Sequence, residues 1–425
     1  MSLFTHAVAP TRFPRKTLFT ALGLALSVNA FAGFPTLYGK VQITAGQYDF
    51  EKLDFSTPTA LTGATNTTPE LDNFNVESIG SRLGVQGDFD AAAGVNVFYR
   101  IEYGVDFDNG TNTNTRELVQ RNIFGGIRGE WGAILAGKND TPLRSLAGRN
   151  GTIVKNSFVP AVQKTDIDRF NEAPLADIGT YLVGENRPDN VIQYTSPILL
   201  GGLEINIAAI QSEETGVAVK NNQGQVTSAQ DDNEFASGQS ISVGYGKTGW
   251  FVGAAYESNV ATSDVARVVG EVTLGPVKLG AIYQTAERHD DTDVLGGFTS
   301  FVNATPTNTG TQYGINPLGE WDGTASSGTN HTSYKEQDGY VLNGVWKISG
   351  PWSAKFQYAN STSTPINTAY KDVELDALAL GLDYALNDVT RIFTYYADVE
   401  AQGDAAISTK ATTDNIAAVG IDFRF

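Results

Sequence analysis

The residue types that carry covalent or acid–base chemistry are scarce in this chain. It has no Cys, and its three histidines are His6, His289 and His331. His289 and His331 lie in one long polar stretch, and the sequence contains no H-E-x-x-H motif, no Cys/His cluster and no glycine-rich phosphate loop. Hydrolases need a nucleophile held beside a general base. We therefore expect neither catalysis nor a cofactor.

Paired acids offer a second kind of chemistry. Asp231-Asp232 and Asp290-Asp291 have the oxygen ligands that Ca²⁺ prefers, but in polar loops such acids are more simply explained as solvated side chains. We expect no metal site.

The formal net charge of −18 also argues against a nucleic-acid partner, because a phosphate backbone attracts basic surfaces.

Charged and polar residues recur in an alternating pattern. Lys40 lies between apolar neighbours in segment 36–46, Arg82 does the same in segment 78–88, and the pattern returns in segment 187–196. Strict alternation predicts β-strands with one polar and one apolar face. Long side chains of both charges would then line the polar side of a sheet.

The alternating segments form a regular series of about sixteen strands. Short turns such as Lys247-Thr248 alternate with long polar loops, as in outer-membrane barrels. The predicted strands are 36–46, 78–88, 95–106, 117–129, 132–138, 187–196, 202–212, 238–247, 249–258, 265–274, 277–287, 338–348, 352–361, 373–385, 389–399 and 414–425.

A closed barrel explains this series better than a soluble β-sheet protein. No run of about 18 to 20 apolar residues is present for a spanning helix, and a sheet in hydrocarbon must close because an open edge leaves backbone groups unpaired. A propeller would show an internal repeat of about 40 to 50 residues, which is absent, and a sandwich would need two apolar inner faces.

Two further features concern the barrel wall and its interior. Segment 139–186 interrupts the series without alternation, so we predict a loop that folds into the barrel and narrows it. Aromatic residues near the strand ends predict girdles at the membrane surfaces. These are Trp250, Phe251, Tyr256, Tyr340, Trp346, Trp352, Phe356, Tyr358, Phe393, Tyr395 and Tyr396.

The first 32 residues predict a secretory signal peptide. Arg12, Arg15 and Lys16 precede the apolar run from Leu18 to Val28, and the sequence Ala-Phe-Ala at 30–32 provides a cleavage site. We therefore expect residues 33–425 to form the exported domain. The absence of Cys means that no disulfide stabilises it.

Five stretches and the last residue occur in an order that a known family shares. They are residues 36–40, 80–87, 121–129, 187–197 and 381–386, followed by the terminal Phe425. In these stretches the chain resembles the general, non-specific porins of the Gram-negative outer membrane, over nearly its whole mature length. The resemblance implies an all-β, sixteen-stranded antiparallel transmembrane barrel with an inward-folded third loop.

The resemblance also implies partners and a location. Members of the family are homotrimers embedded in outer-membrane lipid, reached by export through the periplasm, and their terminal Phe, here Phe425, is an assembly signal for the barrel-assembly machinery. Small hydrophilic solutes and ions diffuse through them.

The site residues are implied residue by residue. Lys40, Arg82, Arg121 and Arg187 match the basic wall of the family's pore constriction. The candidate acids on the loop 139–186 are Asp166, Asp168, Glu172 and Asp177. Alternation independently supports an inward position for Lys40 and Arg82, whereas Arg121 shares its parity with Ile123 and Ile127.

The sequence thus predicts a water-filled diffusion channel, with a mild preference for cations suggested by the acidic excess. A substrate-specific channel for a sugar or an anion is the alternative. Such a channel would present a line of aromatic residues or a dense basic array in its interior.

Overall fold

The computed structural model describes residues 35–50, 71–92, 94–105, 107, 118–148, 167–170, 172–211, 215–220, 226–231, 235–261, 263–289, 298–299, 333–365, 372–403 and 412–425. The predicted signal peptide lies outside the described residues, as do Asp166, His331 and the Asp290-Asp291 pair.

Antiparallel strands make up most of the described chain. They are β1 Thr36–Phe50, β2 Leu71–Ser78, β3 Arg82–Ala92, β4 Val95–Val105, β5 Leu118–Gly129, β6 Gly132–Lys138, β7 Val191–Thr195, β8 Leu203–Ile210, β9 Thr215–Lys220, β10 Val226–Asp231, β11 Gly238–Lys247, β12 Trp250–Val260, β13 Ser263–Leu274, β14 Val277–Arg288, β15 Phe298–Thr299, β16 Ser333–Ser349, β17 Trp352–Pro365, β18 Val373–Ala385, β19 Thr390–Gly403 and β20 Thr412–Arg424.

These strands form a closed barrel of sixteen strands. β2 and β3 are two parts of one strand, since both pair with β1. The barrel closes where β1 pairs with β20, from Lys40 opposite Arg424 to Phe50 opposite Asp414. The short hairpin of β9 and β10 stands apart from the barrel wall, and β15 only extends the edge of β16. The predicted strand number and antiparallel order are confirmed.

The two faces of the wall differ in the way that alternation predicts. On β18, Leu378, Leu380 and Leu382 are exposed on the outer surface, whereas the neighbouring Ala377 and Ala379 are buried. An apolar outer band and a covered inner face are expected of a strand that separates lipid from a barrel interior. Among the described residues, no helix is long and apolar enough to cross a membrane.

The segment between β6 and β7 packs against the inner face. It contains helix α1, Pro142–Leu146, whose N-cap Thr141 accepts a hydrogen bond from the Arg144 amide, and the 3-10 helix Ile178–Thr180. Leu175, Ile178 and Leu182 join one buried cluster with residues of the barrel wall. This apolar cluster covers the inner faces of β18 and β19, which therefore carry mostly apolar side chains such as Leu375, Ala377 and Phe393.

Hydrogen bonds to the backbone of this segment fix it against the opposite wall. The Gln357 side chain on β17 donates to the Ala176 carbonyl at 2.6 Å, and the Val183 amide donates to the Gln337 side chain at 2.9 Å. Each buried hydrogen bond of this kind satisfies a polar group that would otherwise be costly to bury. The wall thus supplies amide side chains at the places where the segment exposes its backbone.

Some local details differ from the sequence expectations. β7 begins at Val191 rather than at residue 187, because residues 186–188 instead bond to the backbone at the start of the long segment. The loop 213–237 contains the β9–β10 hairpin. Three aromatic residues expected in the membrane girdles are instead buried on the inner face: Phe251, Phe393 and Tyr395. Both faces of their strands are apolar, so the alternation does not show which way these rings point.

Candidate functional site: charged residues in the barrel interior

The Glu172 carboxylate is the centre of a charge cluster that includes three predicted wall residues. Its Oε2 lies 2.9 Å from Nη2 of Arg82 and 3.6 Å from Nζ of Lys40. Its Oε1 lies 2.7 Å from Nη2 of Arg121. The three cations come from β3, β1 and β5 respectively. One acid of the long segment therefore meets three cations of the wall.

Local backbone geometry explains why Glu172 reaches the wall. Its φ angle is +64°, in the left-handed region that costs a non-glycine residue about 1–3 kcal/mol. The Asp177 side chain holds this turn, since its two oxygens accept from the amides of Glu172 at 2.6 Å and Gly179 at 2.8 Å. Asp177 is thus used to shape the turn that presents Glu172.

The wall makes room for Glu172 at Gly80, between β2 and β3. Gly80 has φ +116°, and a Cβ atom built on it would lie 2.0 Å from Oε2 of Glu172. Only glycine combines this backbone angle with such close approach. The break between β2 and β3 is therefore the place where the acid of the long segment fits against the wall.

A second carboxylate, Glu102 on β4, lies behind the same cations. Its Oε1 is 3.0 Å from Nε of Arg121 and 3.8 Å from Nη1 of Arg82, and the Tyr38 hydroxyl donates to its Oε2 at 2.9 Å. Glu102 is not among the residues predicted from the sequence. The available signal was a single carboxylate between Ile101 and Tyr103, two residues after Arg100 on the same strand.

A β-bulge explains why Arg121 faces inward. The register between β4 and β5 shifts between Ile101 and Tyr103. A bulge rotates the side chains on one side of the shift relative to those on the other. Arg121 can therefore lie inside the barrel although Ile127, of the same parity, is exposed on its outer surface.

Arg187 joins a different cluster. Its Nε lies 2.6 Å from Oδ1 of Asp140 and donates to the Asn122 side chain at 3.1 Å. The Arg144 Nε contacts the same Asp140 oxygen at 3.2 Å. This cluster ties together the two ends of the long segment, where the chain leaves β6 and approaches β7.

A buried ion pair anchors the long segment to the far wall. Nη1 of Arg267 on β13 lies 2.6 Å from Oε1 of Glu185, and both side chains are almost completely shielded from solvent. The Arg267 Nε also donates to the Gln284 side chain at 2.7 Å, and its Nη2 donates to the Val183 carbonyl at 3.2 Å. Neither charge is among the residues predicted from the sequence, although Arg267 stands out in the apolar run Val265 to Val269.

The remaining predicted residues have separate positions. Asp168 is buried and borders a cavity between the long segment and the wall. The Phe425 ring lies exposed on the outer surface, while its backbone exchanges hydrogen bonds of 3.0 and 3.1 Å with Gly39. Within the described ranges, no group of His, Asp or Glu side chains is arranged to hold a metal ion.

The long segment also contains a buried phenol. Burial, with a smaller contribution from the nearby Asp168 charge, raises the pKa of Tyr181 well above its ordinary value. Its hydroxyl stays protonated and donates to the Leu175 carbonyl, a contact that stabilises the fold of the segment around Glu172.

Comparison with known proteins identifies a family match. Residues 18–404 match the family described as Gram-negative porin. A search of curated proteins found no match. Among solved structures, the anion-selective porin from Comamonas acidovorans is similar at 15% identity, over 92% of this chain and 99% of that chain, with a TM-score of 0.59.

Two other solved structures have similar folds. Salmonella typhi OmpF in complex with daunomycin shares 15% identity over 92% of this chain and 97% of that chain, with a TM-score of 0.55. The trimer form of OmpT, an outer membrane protein of Vibrio cholerae, shares 13% identity over 93% of this chain and 100% of that chain, with a TM-score of 0.53.

Proposed function

The chain belongs to the Gram-negative porin family, and from this premise we propose that it is a general diffusion channel for small hydrophilic solutes and ions, narrowed where Glu172 meets the basic wall. Membership makes it a channel of the outer membrane, in a family of passive channels rather than enzymes. To family membership we add the position of the constriction at Glu172, and the effects of its charges on solutes and ions.

The observation that carries the proposal is the contact of Glu172 with Lys40, Arg82 and Arg121. These contacts hold the long segment against the wall, and charged side chains that line the narrowed aqueous passage orient dipolar solutes and disfavour apolar ones, because ordered water must be displaced. Three of the four predicted wall residues and one predicted loop acid would together form this constriction. Arg187 would support it from the base of the long segment.

We further propose a mild preference for cations. The net charge of −18 supports it, because an acidic protein raises the local concentration of cations at the channel mouths. The charges nearest Glu172 oppose it, since three cations face the two carboxylates of Glu172 and Glu102. Screening over about 8 Å at physiological salt limits both effects, so the preference is small.

Assembly and export complete the proposal. We infer that residues 1–32 direct export through the periplasm, that Phe425 is read by the barrel-assembly machinery, and that three copies associate in the lipid of the outer membrane. A similar fold occurs in the trimer form of OmpT. The apolar outer face supports contact with lipid and with neighbouring copies.

Single-channel recording of the refolded mature protein tests the function. In a planar bilayer under a KCl gradient we expect ohmic steps in groups of three and a small reversal potential of the sign that favours potassium. Folded protein that gives no steps would refute the open channel. A reversal potential of the opposite sign would refute the cation preference alone.

A substrate-specific channel for an anion is the second candidate. It is favoured by the interior position of Phe393 and Tyr395, which lie beside several cations at one cavity. Block of the conductance steps by a low concentration of one anion, but not by others of equal charge, would promote this candidate over the general channel.

A further inference from the structure

A cavity of about 280 Å³ lies between residues 168–173 of the long segment and the barrel wall. Five of its lining residues lie near the short turns that join β16 to β17 and β18 to β19, namely Val345, Ser353, Lys355, Asp383 and Arg391. Short turns face the periplasm in barrels of this kind. The cavity is lined by Lys40, Gln42, Arg82, Asp168, Arg169, Phe170, Ala173, Val345, Ser353, Lys355, Asp383, Arg391, Phe393, Tyr395 and Arg424.

Cations dominate this lining. Six of the lining side chains are Lys or Arg, and two, Asp168 and Asp383, are carboxylates. Further acids lie behind the lining: Asp422 contacts Arg391 at 2.9 Å and Arg424 at 3.0 Å. Ion pairs with acids outside the lining therefore hold Arg391 and Arg424 in position. A lining of this sign attracts an anion while the surrounding pairs keep the site stable.

Two buried donors in the lining have no hydrogen-bond partner within the described part of the chain. They are Nε of Arg82 and the hydroxyl of Tyr395, and each residue is only 4% exposed. Lys40, also 4% exposed, makes its ion pair with Glu172 at the longer distance of 3.6 Å. An unsatisfied buried donor is costly, and a bound carboxylate would accept from several donors at once.

One side of the cavity is aromatic. Phe393 and Tyr395 lie with their ring centroids 6.5 Å apart and their planes inclined by 27°. The ammonium group of Lys355 lies 4.9 Å from the centroid of the Phe170 ring, a cation–π distance. A small inorganic anion would contact the charged groups but would gain nothing from these rings. An aromatic ring of the ligand would pack against them.

We propose that this cavity binds a small aromatic carboxylate, with its carboxylate toward Arg82, Lys40 and Tyr395 and its ring against Phe170 and Phe393. The volume suffices, because a dry cavity of about 150 Å³ binds benzene. This inference rests on the proposed channel function, since the ligand must enter through the aqueous interior. It names small aromatic carboxylates as the substrate class of the second candidate function, the substrate-specific channel for an anion.

Titration calorimetry of the refolded, purified barrel with sodium benzoate tests the site. Acetate is the control for charge without a ring, and benzyl alcohol is the control for a ring without charge. We expect benzoate to bind about tenfold or more tightly than either, because each control loses the ring contact or the charge-assisted hydrogen bonds. Equal binding of acetate or of benzyl alcohol would overturn the aromatic-carboxylate assignment.

Two matched variants locate the binding. Tyr395→Phe keeps the ring and removes the hydroxyl, so we expect benzoate to bind about tenfold more weakly. Tyr358→Phe is the control, because Tyr358 lies on the outer surface and bonds Asp376; its benzoate affinity should equal that of the original protein. An unchanged affinity in Tyr395→Phe would overturn the location of the site.

The same protein samples separate this inference from the channel itself. Single-channel steps in KCl without benzoate report whether the barrel conducts. Conducting protein that shows no selective binding of benzoate would overturn the cavity assignment and leave the diffusion channel standing. Protein that binds benzoate selectively but does not conduct would support the cavity and refute the open channel.

Discussion

The Glu172 carboxylate accepts a hydrogen bond at 2.9 Å from Nη2 of Arg82, a residue 90 positions earlier in the chain. With the contacts to Lys40 and Arg121, this hydrogen bond joins the long segment between β6 and β7 to the wall formed by β1, β3 and β5, in addition to the packing of that segment on β18 and β19. The Arg82 side chain is 3% exposed and that of Glu172 is 14% exposed, so solvent screens their interaction less than it screens a surface ion pair.

Replacing Glu172 by Gln should move the ion selectivity toward anions. The substitution removes one negative charge beside Lys40, Arg82 and Arg121 while keeping the size of the side chain. One unit charge at about 4 Å is worth about 1 kcal/mol in a water-like medium, so we expect the chloride-to-potassium permeability ratio to rise about two- to fivefold. The measurement is the reversal potential in a KCl gradient.

Glu374→Gln is the control for that measurement. Glu374 lies exposed on β18, so this variant also loses one negative charge, but at a position outside the barrel interior. The permeability ratio of Glu374→Gln should stay that of the original protein. Equal shifts in the two variants would show that total charge, rather than the position of Glu172, sets the selectivity.

Gly80→Ala should displace Glu172 without removing it. The new methyl group would overlap Oε2 of Glu172, and the φ of +116° adds backbone strain. We expect the permeability ratio to shift in the same direction as in Glu172→Gln. Because both changes act on one contact, Gly80→Ala should add little when Glu172→Gln is already present.

Gly350→Ala separates the overlap from the strain. Gly350 also has a positive φ, +54°, but a Cβ atom there would meet nothing within 4 Å. We expect a small loss of stability and no change in selectivity. Full additivity of Gly80→Ala and Glu172→Gln would contradict the proposed contact.

Arg267→Met should release the long segment from the far wall. The change leaves Glu185 buried without its partner, and breaking a buried ion pair costs about 3–5 kcal/mol. We expect a protease to cleave the segment 139–186 of the folded barrel at least about tenfold faster, because local opening becomes more frequent. Timed proteolysis followed by mass spectrometry measures this rate.

Two further variants check the reason for that effect. Arg267→Met combined with Glu185→Gln removes the unpaired charge, so the cleavage rate should fall back toward that of the original protein. Lys347→Met changes an exposed cation at the end of β16 and should leave the rate unaltered. A double variant cleaved as fast as Arg267→Met would refute the ion-pair explanation.

The sequence predicted the wall better than it predicted the contents of the barrel. Alternation placed Lys40 and Arg82 inward because each strand residue can face only two ways. Arg121 could not be placed in this manner, since the bulge between β4 and β5 changes the parity locally. The strands themselves were found because turns and loops interrupt the alternation clearly.

The choice of Glu172 among four candidate acids depends on long-range contacts. It requires the left-handed turn at Glu172, the Asp177 side chain that holds this turn and the space above Gly80. None of these has a local sequence signature. The inward position of Phe393 and Tyr395 was missed for a related reason: both faces of β19 carry aromatic side chains, and the covering of the inner face by the long segment is a tertiary feature.

Phe425→Ala should impair assembly in cells more than it impairs the folded barrel. The Phe425 ring lies exposed on the outer surface, and the backbone bonds between Phe425 and Gly39 do not depend on it. Phe423→Ala removes a ring from the same outer face, and each loss should lower folding stability in a bilayer by about 1–3 kcal/mol. If the assembly machinery reads the terminal residue, the amount of protein in the outer membrane should fall severalfold for Phe425→Ala and little for Phe423→Ala.

Urea unfolding in vesicles measures the folding stability of the two variants, and quantitative blotting of outer-membrane fractions measures their amount in cells. Equal losses in both variants would mean that ring burial in lipid, and not recognition of the terminus, accounts for the effect.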